Sequence, residues 1–151
     1  MSDPLYESRT TRFDLPLLFA GQAQKESFVN EMAARIDALL HGAIEGQLAI
    51  PPASPADGQA WLVAASASGD WTGKSGMIAA RQAGNWLFAA PQDGMKLLNR
   101  ATGQEIRFAG TWKAAVRPAV PSAGTVVDSE ARSAISSILT ALTTAGIVPA
   151  A

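Results

Sequence analysis

The chain has 151 residues, of which 48% are apolar and only 17% are charged, with a net charge of -1 and no cysteine. This length suits one domain that buries a core without covalent staples, and the neutral balance provides no basic surface for nucleic acid or anionic lipid. Without cysteine there is no disulfide, thiolate nucleophile or zinc knuckle. No apolar run is long enough for a transmembrane helix, so we expect no membrane insertion.

The N-terminal part of the sequence predicts a polar arm followed by one long helix. Residues 1–14 are polar and irregular, and Pro16 keeps the apolar residues after it out of a helix. From Gln24, apolar residues recur at steps of three and four, which predicts a helix over roughly residues 22–45 that covers a sheet. Its apolar residues are Phe28, Met32, Ile36, Leu39, Leu40 and Ala43.

The middle of the sequence predicts about six short strands. A proline-rich connector at residues 50–59 separates them from the helix. The strand candidates are 60–65, 77–82, 85–90, 95–99, 104–109 and 111–116. Turn residues at 83–84 and 100–103 indicate two hairpins. The predicted fold class is α+β, with an N-terminal helix packed on one small antiparallel meander of about six strands and a C-terminal helix.

The end of the sequence predicts a linker and a second helix. Prolines interrupt residues 117–127, and Asp128 or Ser129 can cap a helix that Gly146 closes. One face of this helix is an apolar stripe, and the opposite face carries serine and threonine without charge. The predicted organisation is therefore an arm (1–14), a helix-and-sheet domain (15–116), a linker (117–127) and a C-terminal helix (128–151).

Residues with catalytic or metal-binding chemistry are sparse. His41 is the only histidine, so a transition-metal site would depend on scattered carboxylates. Gly73-Lys74-Ser75 is similar to the end of a phosphate-binding loop, but Ser68 stands where that loop requires its first glycine. Without a Ser/His pair or clustered carboxylates, we expect neither an enzyme nor a bound cofactor.

Four tryptophans lie in the strand-rich half of the sequence. Trp61 and Trp112 fall in strand candidates, where we expect them in the core. Trp71 lies in a polar Gly/Ser/Asp loop, which favours a half-exposed ring, and Trp86 follows a tight turn. Exposed aromatic rings can stack on sugars, so Trp71 and Trp86 are candidate glycan-binding residues. Burial or a protein interface is the competing interpretation.

The opening segment carries the most distinctive pattern in the chain, a Gly-Gln-Ala-Gln-Lys-Glu hexapeptide at residues 21–26. The accompanying residues are Arg12-Phe13, Leu15-Pro16, Asn30-Glu31, Asp37-Ala38-Leu39, Pro51-Pro52, Pro55, Gly58 and the tryptophan-rich loop that follows. Over roughly residues 11–113, this pattern resembles a family of unknown function found in prophages and gene transfer agents of alphaproteobacteria. The domain of that family is similar to the N-terminal part of tail-fibre or tail-tip proteins and brings no catalytic residues.

The resemblance implies a structural component of a phage-like particle, such as a tail fibre, spike or tail-tip adaptor. Such a protein would be made in the bacterial cytoplasm and assembled into the virion through contacts with other tail proteins. It would be a homo-oligomer, with a trimer favoured. The alternative is a module that binds surface polysaccharide through exposed tryptophans. The candidate assembly residues are Leu15, Leu17, Leu18, Phe19, Gln22, Gln24, Lys25, Glu26, Ile135, Ile138, Leu139 and Leu142.

Overall fold

The computed structural model describes residues 15–16, 25–122, 124 and 128–150, which contain two helices and eight strands. The helices are α1 (Lys25–Leu39) and α2 (Ser129–Thr144). The strands are β1 (Ala43–Ile44), β2 (Gln47–Leu48), β3 (Ala60–Val63), β4 (Ile78–Gln82), β5 (Asn85–Ala89), β6 (Lys96–Asn99), β7 (Gln104–Ala109) and β8 (Thr111–Lys113). They form two four-stranded sheets, in the orders β1-β6-β7-β8 and β2-β3-β4-β5. The predicted α+β class is confirmed.

The strands differ from a single antiparallel meander in number and in pairing. The six predicted strands correspond to β3 to β8, and the chain adds β1 and β2 before them. β1 runs parallel to β6 and β2 runs parallel to β3, so both sheets are mixed. The segment 43–48 therefore contributes first to one sheet and then to the other. Strands of two residues carry too little alternation to be recognised in a sequence.

The first helix is shorter than the predicted helix over residues 22–45. It ends at Leu39, and His41 then adopts the left-handed backbone conformation, with φ of 54°. Gly42 passes so close to the core that an added Cβ would lie 2.5 Å from Cδ2 of Leu97. Ala43, which was expected in the helix, pairs with Leu98 as the first residue of β1. The chain thus leaves the helix early because it must enter the sheet.

The main core contains residues from both sheets, and a second cluster covers the other face of β3 and β4. The main cluster consists of Ile44, Ala60, Leu62, Ile78, Ala80, Leu97 and Ile106. The second cluster consists of Trp61, Val63, Trp71 and Ala79. All four residues of β3 are buried. Because both of its faces are covered, β3 reads as the continuous apolar run Ala-Trp-Leu-Val rather than as an alternation.

Trp112 links the two sheets from its position in β8. Its ring packs edge-on against Phe108 of β7, with 5.3 Å between the ring centroids. Its indole Nε1–H donates to the carbonyl of Gly76, just before β4 in the other sheet, at 3.0 Å. Trp112 is half-buried against the main core, so it supplies both apolar area and a hydrogen bond between the sheets.

The second helix begins and ends as the sequence predicts. The Asp128 side chain caps it by accepting from the Ala131 N–H at 2.8 Å. At the other end Gly146 has a φ of 69°, and its N–H donates to Thr143 at 2.9 Å. The N–H of Ile147 donates to Leu142 at 2.9 Å, which completes a Schellman motif. The helix is therefore closed at both ends by the residues that flank it.

The side chain of Gln104 fixes the tail of α2 to the sheet. Gln104 is only 3% exposed, and it is the first residue of β7. Its amide Nε2 donates to the carbonyl of Ala115 at 2.6 Å and to the carbonyl of Ile147 at 2.8 Å. The neighbouring Glu105 N–H donates to the carbonyl of Gly146 at 2.7 Å. One buried amide thus joins β7, the segment after β8 and the chain after α2.

The segment after β8 runs along α2 without regular secondary structure. Arg117 donates to the hydroxyl of Thr143 at 2.7 Å and to the carbonyl of Pro149 at 3.3 Å. Near the other end of the helix, Arg132 donates to the carbonyl of Pro121 at 3.0 Å. These contacts hold the described part of the proline-rich segment beside the helix.

We expect Gln104→Leu to lower the free energy of unfolding by about 1–3 kcal/mol, because the carbonyls of Ala115 and Ile147 lose their donor. Urea unfolding measures this loss, and hydrogen exchange of the α2 amides reports whether the helix is released. The matched control is Gln47→Leu, which changes an exposed strand glutamine. Equal stability of the two variants would contradict the role of Gln104.

We expect Trp112→Phe to lower the free energy of unfolding by about 0.5–1.5 kcal/mol, because it keeps an aromatic ring but removes the hydrogen bond to Gly76. Chemical denaturation measures the change in midpoint. A variant as stable as the original chain would show that this hydrogen bond between the sheets contributes nothing.

Candidate assembly interface

The structure describes only part of the candidate assembly segment at the start of the chain. Five of the predicted residues lie outside the described residues: Leu17, Leu18, Phe19, Gln22 and Gln24. Leu15 is half-buried, and Lys25 and Glu26 are exposed in the first turn of α1. A carboxylate is favourable in that turn because it faces the unpaired N–H groups of the helix.

The first helix has little cover within the chain. None of its residues is buried, although the sequence predicts that its apolar side chains cover the sheet. Ala38 and Leu39 pack against the main core. Arg35 donates to the carbonyl of Phe88 in β5 at 3.0 Å and forms an ion pair with Glu31 at 2.9 Å. The helix therefore touches the sheet along one side near its C-terminal end.

An apolar strip runs along an exposed side of α1. It consists of Val29, Ala33 and Ile36 of α1 together with Leu40, the residue directly after the helix, and we call it the α1 strip. Val29 is 40% exposed, Ile36 44% and Leu40 66%, and Ala33 is exposed as well. The prediction that Ile36 and Leu40 cover the sheet is wrong, because the helix presents the side with Arg35 to β5 instead. The spacing of 4, 3 and 4 residues along the strip was visible in the sequence.

A groove extends the α1 strip onto the sheet domain. Its volume is about 360 Å³, and it is lined by Leu15, Ile36, Leu39, Leu40, Met95 and Lys96. Five of these six side chains are apolar, and Met95 stands directly before β6. The exposed apolar surface of α1 thus continues to the start of β6, an inner strand of the first sheet.

The predicted apolar stripe of α2 is divided between the core and the surface. Leu139 is buried and Leu142 is half-buried. Ile135 and Ile138 are 38% and 58% exposed. The helix therefore packs through one edge of the stripe and leaves the other edge uncovered.

The exposed face of α2 carries few groups that need water. The hydroxyls of Ser137, Thr140 and Thr144 each donate to the carbonyl one turn earlier, at 3.0 Å. No charged residue follows Arg132 in the sequence. The charge of the helix lies in its first turn, where the Ser129 hydroxyl donates to the carboxylate of Glu130 and lowers its pKa.

The tryptophans form a packed cluster rather than an exposed platform. Trp71 has no exposed surface, so the expectation of a half-exposed ring is wrong. The 3-10 turn Gly69–Trp71 leads the ring into the cluster, where its centroid lies 5.0 Å from that of Trp86 and 6.4 Å from that of Trp61. The guanidinium of Arg81 lies over the Trp86 ring, 5.1 Å from its centroid. In this arrangement Trp71 offers no face to a sugar, and Arg81 covers one face of Trp86.

The histidine lies in a small cleft beside the end of α1. His41 and Asp37 line this cleft of about 150 Å³, together with Arg100. Arg100 is already paired with Glu45, at 2.8 Å. Within the described ranges, no three His, Cys, Asp or Glu side chains are placed to hold a metal ion. In the same part of the chain, neither helix is both long and apolar enough to cross a membrane.

Comparison with known proteins identifies a family for this chain. None of the curated proteins matches it. Residues 29–113 match the family described as "Protein of unknown function (DUF2793)". The match covers more than half of the chain and includes all eight described strands and most of α1. The chain therefore belongs to the DUF2793 family of proteins of unknown function.

Proposed function

We propose that this chain is a structural component of a phage-like particle, a tail fibre, spike or tail-tip adaptor that acts by protein–protein assembly. The observation that carries the proposal is the apolar surface exposed on both helices, while the two sheets bury a core of their own. Contiguous exposed apolar surface on a folded domain marks an interaction site. The particle context is supported by the resemblance of the opening hexapeptide to a family found in prophages and gene transfer agents.

The two exposed surfaces lie on different parts of the fold, which favours assembly with more than one neighbour. α1 contacts β5 of one sheet through Arg35. The chain after α2 is held on β7 of the other sheet through Gln104. Two separate surfaces would allow one contact to another copy or to an anchor and a second contact to the next protein.

The tryptophans give no support to the polysaccharide-binding alternative. Stacking on a sugar needs an open ring face, and Trp71 has none. Trp86 has one face under the Arg81 guanidinium. Assembly is therefore the function that the described surfaces favour.

We expect particles purified from the bacterium that encodes this chain to contain it in a fixed ratio to the major structural proteins. Quantitative mass spectrometry of gradient-purified particles measures that ratio, with an abundant cytoplasmic enzyme of the same cells as the contamination control. A chain that remains with the cytoplasmic enzyme and is absent from the particles would contradict the proposal.

We expect Ile138→Asp to reduce incorporation into particles by about tenfold or more, because a carboxylate buried in an interface without a partner costs more than 1.4 kcal/mol. The matched control is Ser137→Asp, which places the same charge at the preceding, also exposed, position of α2. Incorporation is measured by the same mass spectrometry. Equal incorporation of the two variants would show that α2 is not part of the assembly surface.

A further inference from the structure

We infer that a groove on the outer face of the first sheet binds an acidic peptide segment of a neighbouring protein. The groove has a volume of about 410 Å³, and three cationic side chains line it, Lys96, Arg107 and Lys113. We call it the basic groove. This inference rests on the proposed function, because it names the chemistry of one partner in the assembly.

The three cations of the basic groove stand in one row across the first sheet. Lys96 of β6 lies directly opposite Arg107 of β7, and Arg107 lies directly opposite Lys113 of β8. Side chains paired in this way share a face, with their Cβ atoms about 5 Å apart. Gln104 and Ile106, which alternate with Arg107 along β7, are buried. The row therefore lies on the face of the sheet that points away from the core.

One carboxylate balances only part of this positive charge. The Nζ of Lys96 donates to the carboxylate of Glu105 at 3.0 Å. Arg107 and Lys113 are exposed, and neither forms an ion pair or a side-chain hydrogen bond with any residue that the structure describes. The row thus presents two positive charges that are available to a partner.

The arrangement of the row is unfavourable for the isolated sheet. Like charges directly opposite each other on neighbouring strands destabilise a sheet. A lysine on an edge strand protects against unwanted strand pairing, which accounts for Lys113, because β8 is the edge of the first sheet. It does not account for Arg107, because β7 lies between β6 and β8. A negatively charged partner over the row would replace this repulsion by attraction.

The row belongs to a wider separation of charge along the chain. Residues 96–117 contain five basic side chains and one acidic side chain, whereas the rest of the chain contains seven basic and twelve acidic ones. The net charge of -1 is the sum of these unequal parts, so it does not exclude a local basic surface. Complementary charge steers a partner and determines where it docks. An acidic partner would therefore be directed to the first sheet.

The remaining lining of the basic groove favours a peptide over a nucleic acid or a membrane. Ala114, Ala115 and Ile147 line it beside the row, and Ile147 is 47% exposed. Ile147 reaches this position because the chain after α2 lies along β7, where the Glu105 N–H donates to the carbonyl of Gly146 at 2.7 Å. A peptide can place carboxylates on the row and apolar side chains against Ile147. A phosphate backbone carries a negative charge at every unit and would meet the Glu105 carboxylate as well.

Fluorescence anisotropy with a labelled acidic peptide and the full chain tests the inference. The probe is a peptide of about ten residues that alternates glutamate and alanine and has blocked ends, and the control peptide has glutamine in place of glutamate. We expect the glutamate peptide to bind about tenfold more tightly at low salt, and added salt to weaken its binding. Equal binding of the two peptides would overturn the inference.

A double variant tests which residues hold the peptide. We expect Arg107→Gln with Lys113→Gln to weaken binding of the glutamate peptide by about tenfold, because two exposed ion pairs are lost. The matched control is Lys74→Gln with Arg81→Gln. It removes the same net charge from side chains that lie over aromatic rings of the other sheet. Equal affinity of the two double variants would contradict binding in the basic groove.

Urea unfolding without peptide tests whether the two unpaired cations instead support the sheet. Because the row is repulsive, we expect the variant with Arg107→Gln and Lys113→Gln to have an unfolding midpoint at least as high as that of the original chain. A lower midpoint would show that these cations stabilise the fold, and it would overturn the inference.

Competition distinguishes the peptide from ligands that carry phosphate. The competitors are a single-stranded oligonucleotide of about ten nucleotides and vesicles that contain phosphatidylserine. We expect the unlabelled glutamate peptide to displace the probe at lower concentration than either competitor. Displacement that is stronger with the oligonucleotide or the vesicles would replace the acidic peptide by a phosphate ligand.

The outcomes for the basic groove and for the particle are distinguishable. A chain that is found in particles but does not distinguish the two peptides would leave the proposed function and remove the acidic partner. A chain that binds the glutamate peptide through Arg107 and Lys113 but is absent from particles would leave the basic groove and remove the proposed function.

Discussion

The fold depends on the pairing of residues 43–48 with both sheets. The Glu45 N–H donates to the carbonyl of Ala60 at 2.8 Å, and the Leu62 N–H donates to the carbonyl of Gly46 at 3.0 Å. One residue earlier Ile44 is 1% exposed in the main core, while it pairs with β6 on the other side. Because a single extended segment pairs its backbone groups with both sheets, it joins the two sheets around a common core. The end of the first helix lies directly before this crossing.

The first helix has to end before the crossing, and that requirement determines which of its sides meets the sheet. His41 and Gly42 turn the chain from the helix into β1, with Gly42 against Leu97. The last turn of α1 is thereby held near β5, where Arg35 reaches the Phe88 carbonyl. No residue in the rest of the helix is buried. Its exposed strip is thus a consequence of how the sheets are joined.

Much of the architecture could be predicted because local signals were strong. The hairpin between β4 and β5 has its turn at Ala83-Gly84, both with positive φ, and α2 has its predicted cap and C-terminal glycine. The side of α1 that meets the sheet could not be predicted, because apolar residues occur on two of its sides and a distant contact from Arg35 decides between them. The burial of Trp71 could not be predicted from the sequence for a similar reason. Its neighbours are polar, and only the tertiary position of its turn, beside Pro51, places the ring under β3.

The hydroxyl groups of α2 allow its exposed face to lie either in water or against protein. A serine or threonine whose hydroxyl already bonds to its own helix keeps that bond when water is removed from around it, so little hydrogen-bond energy is lost on burial. Lysine or glutamate at the same positions would need water or a charged partner. The charge-free face of α2 can therefore lie either in water or against protein without rearranging its side chains.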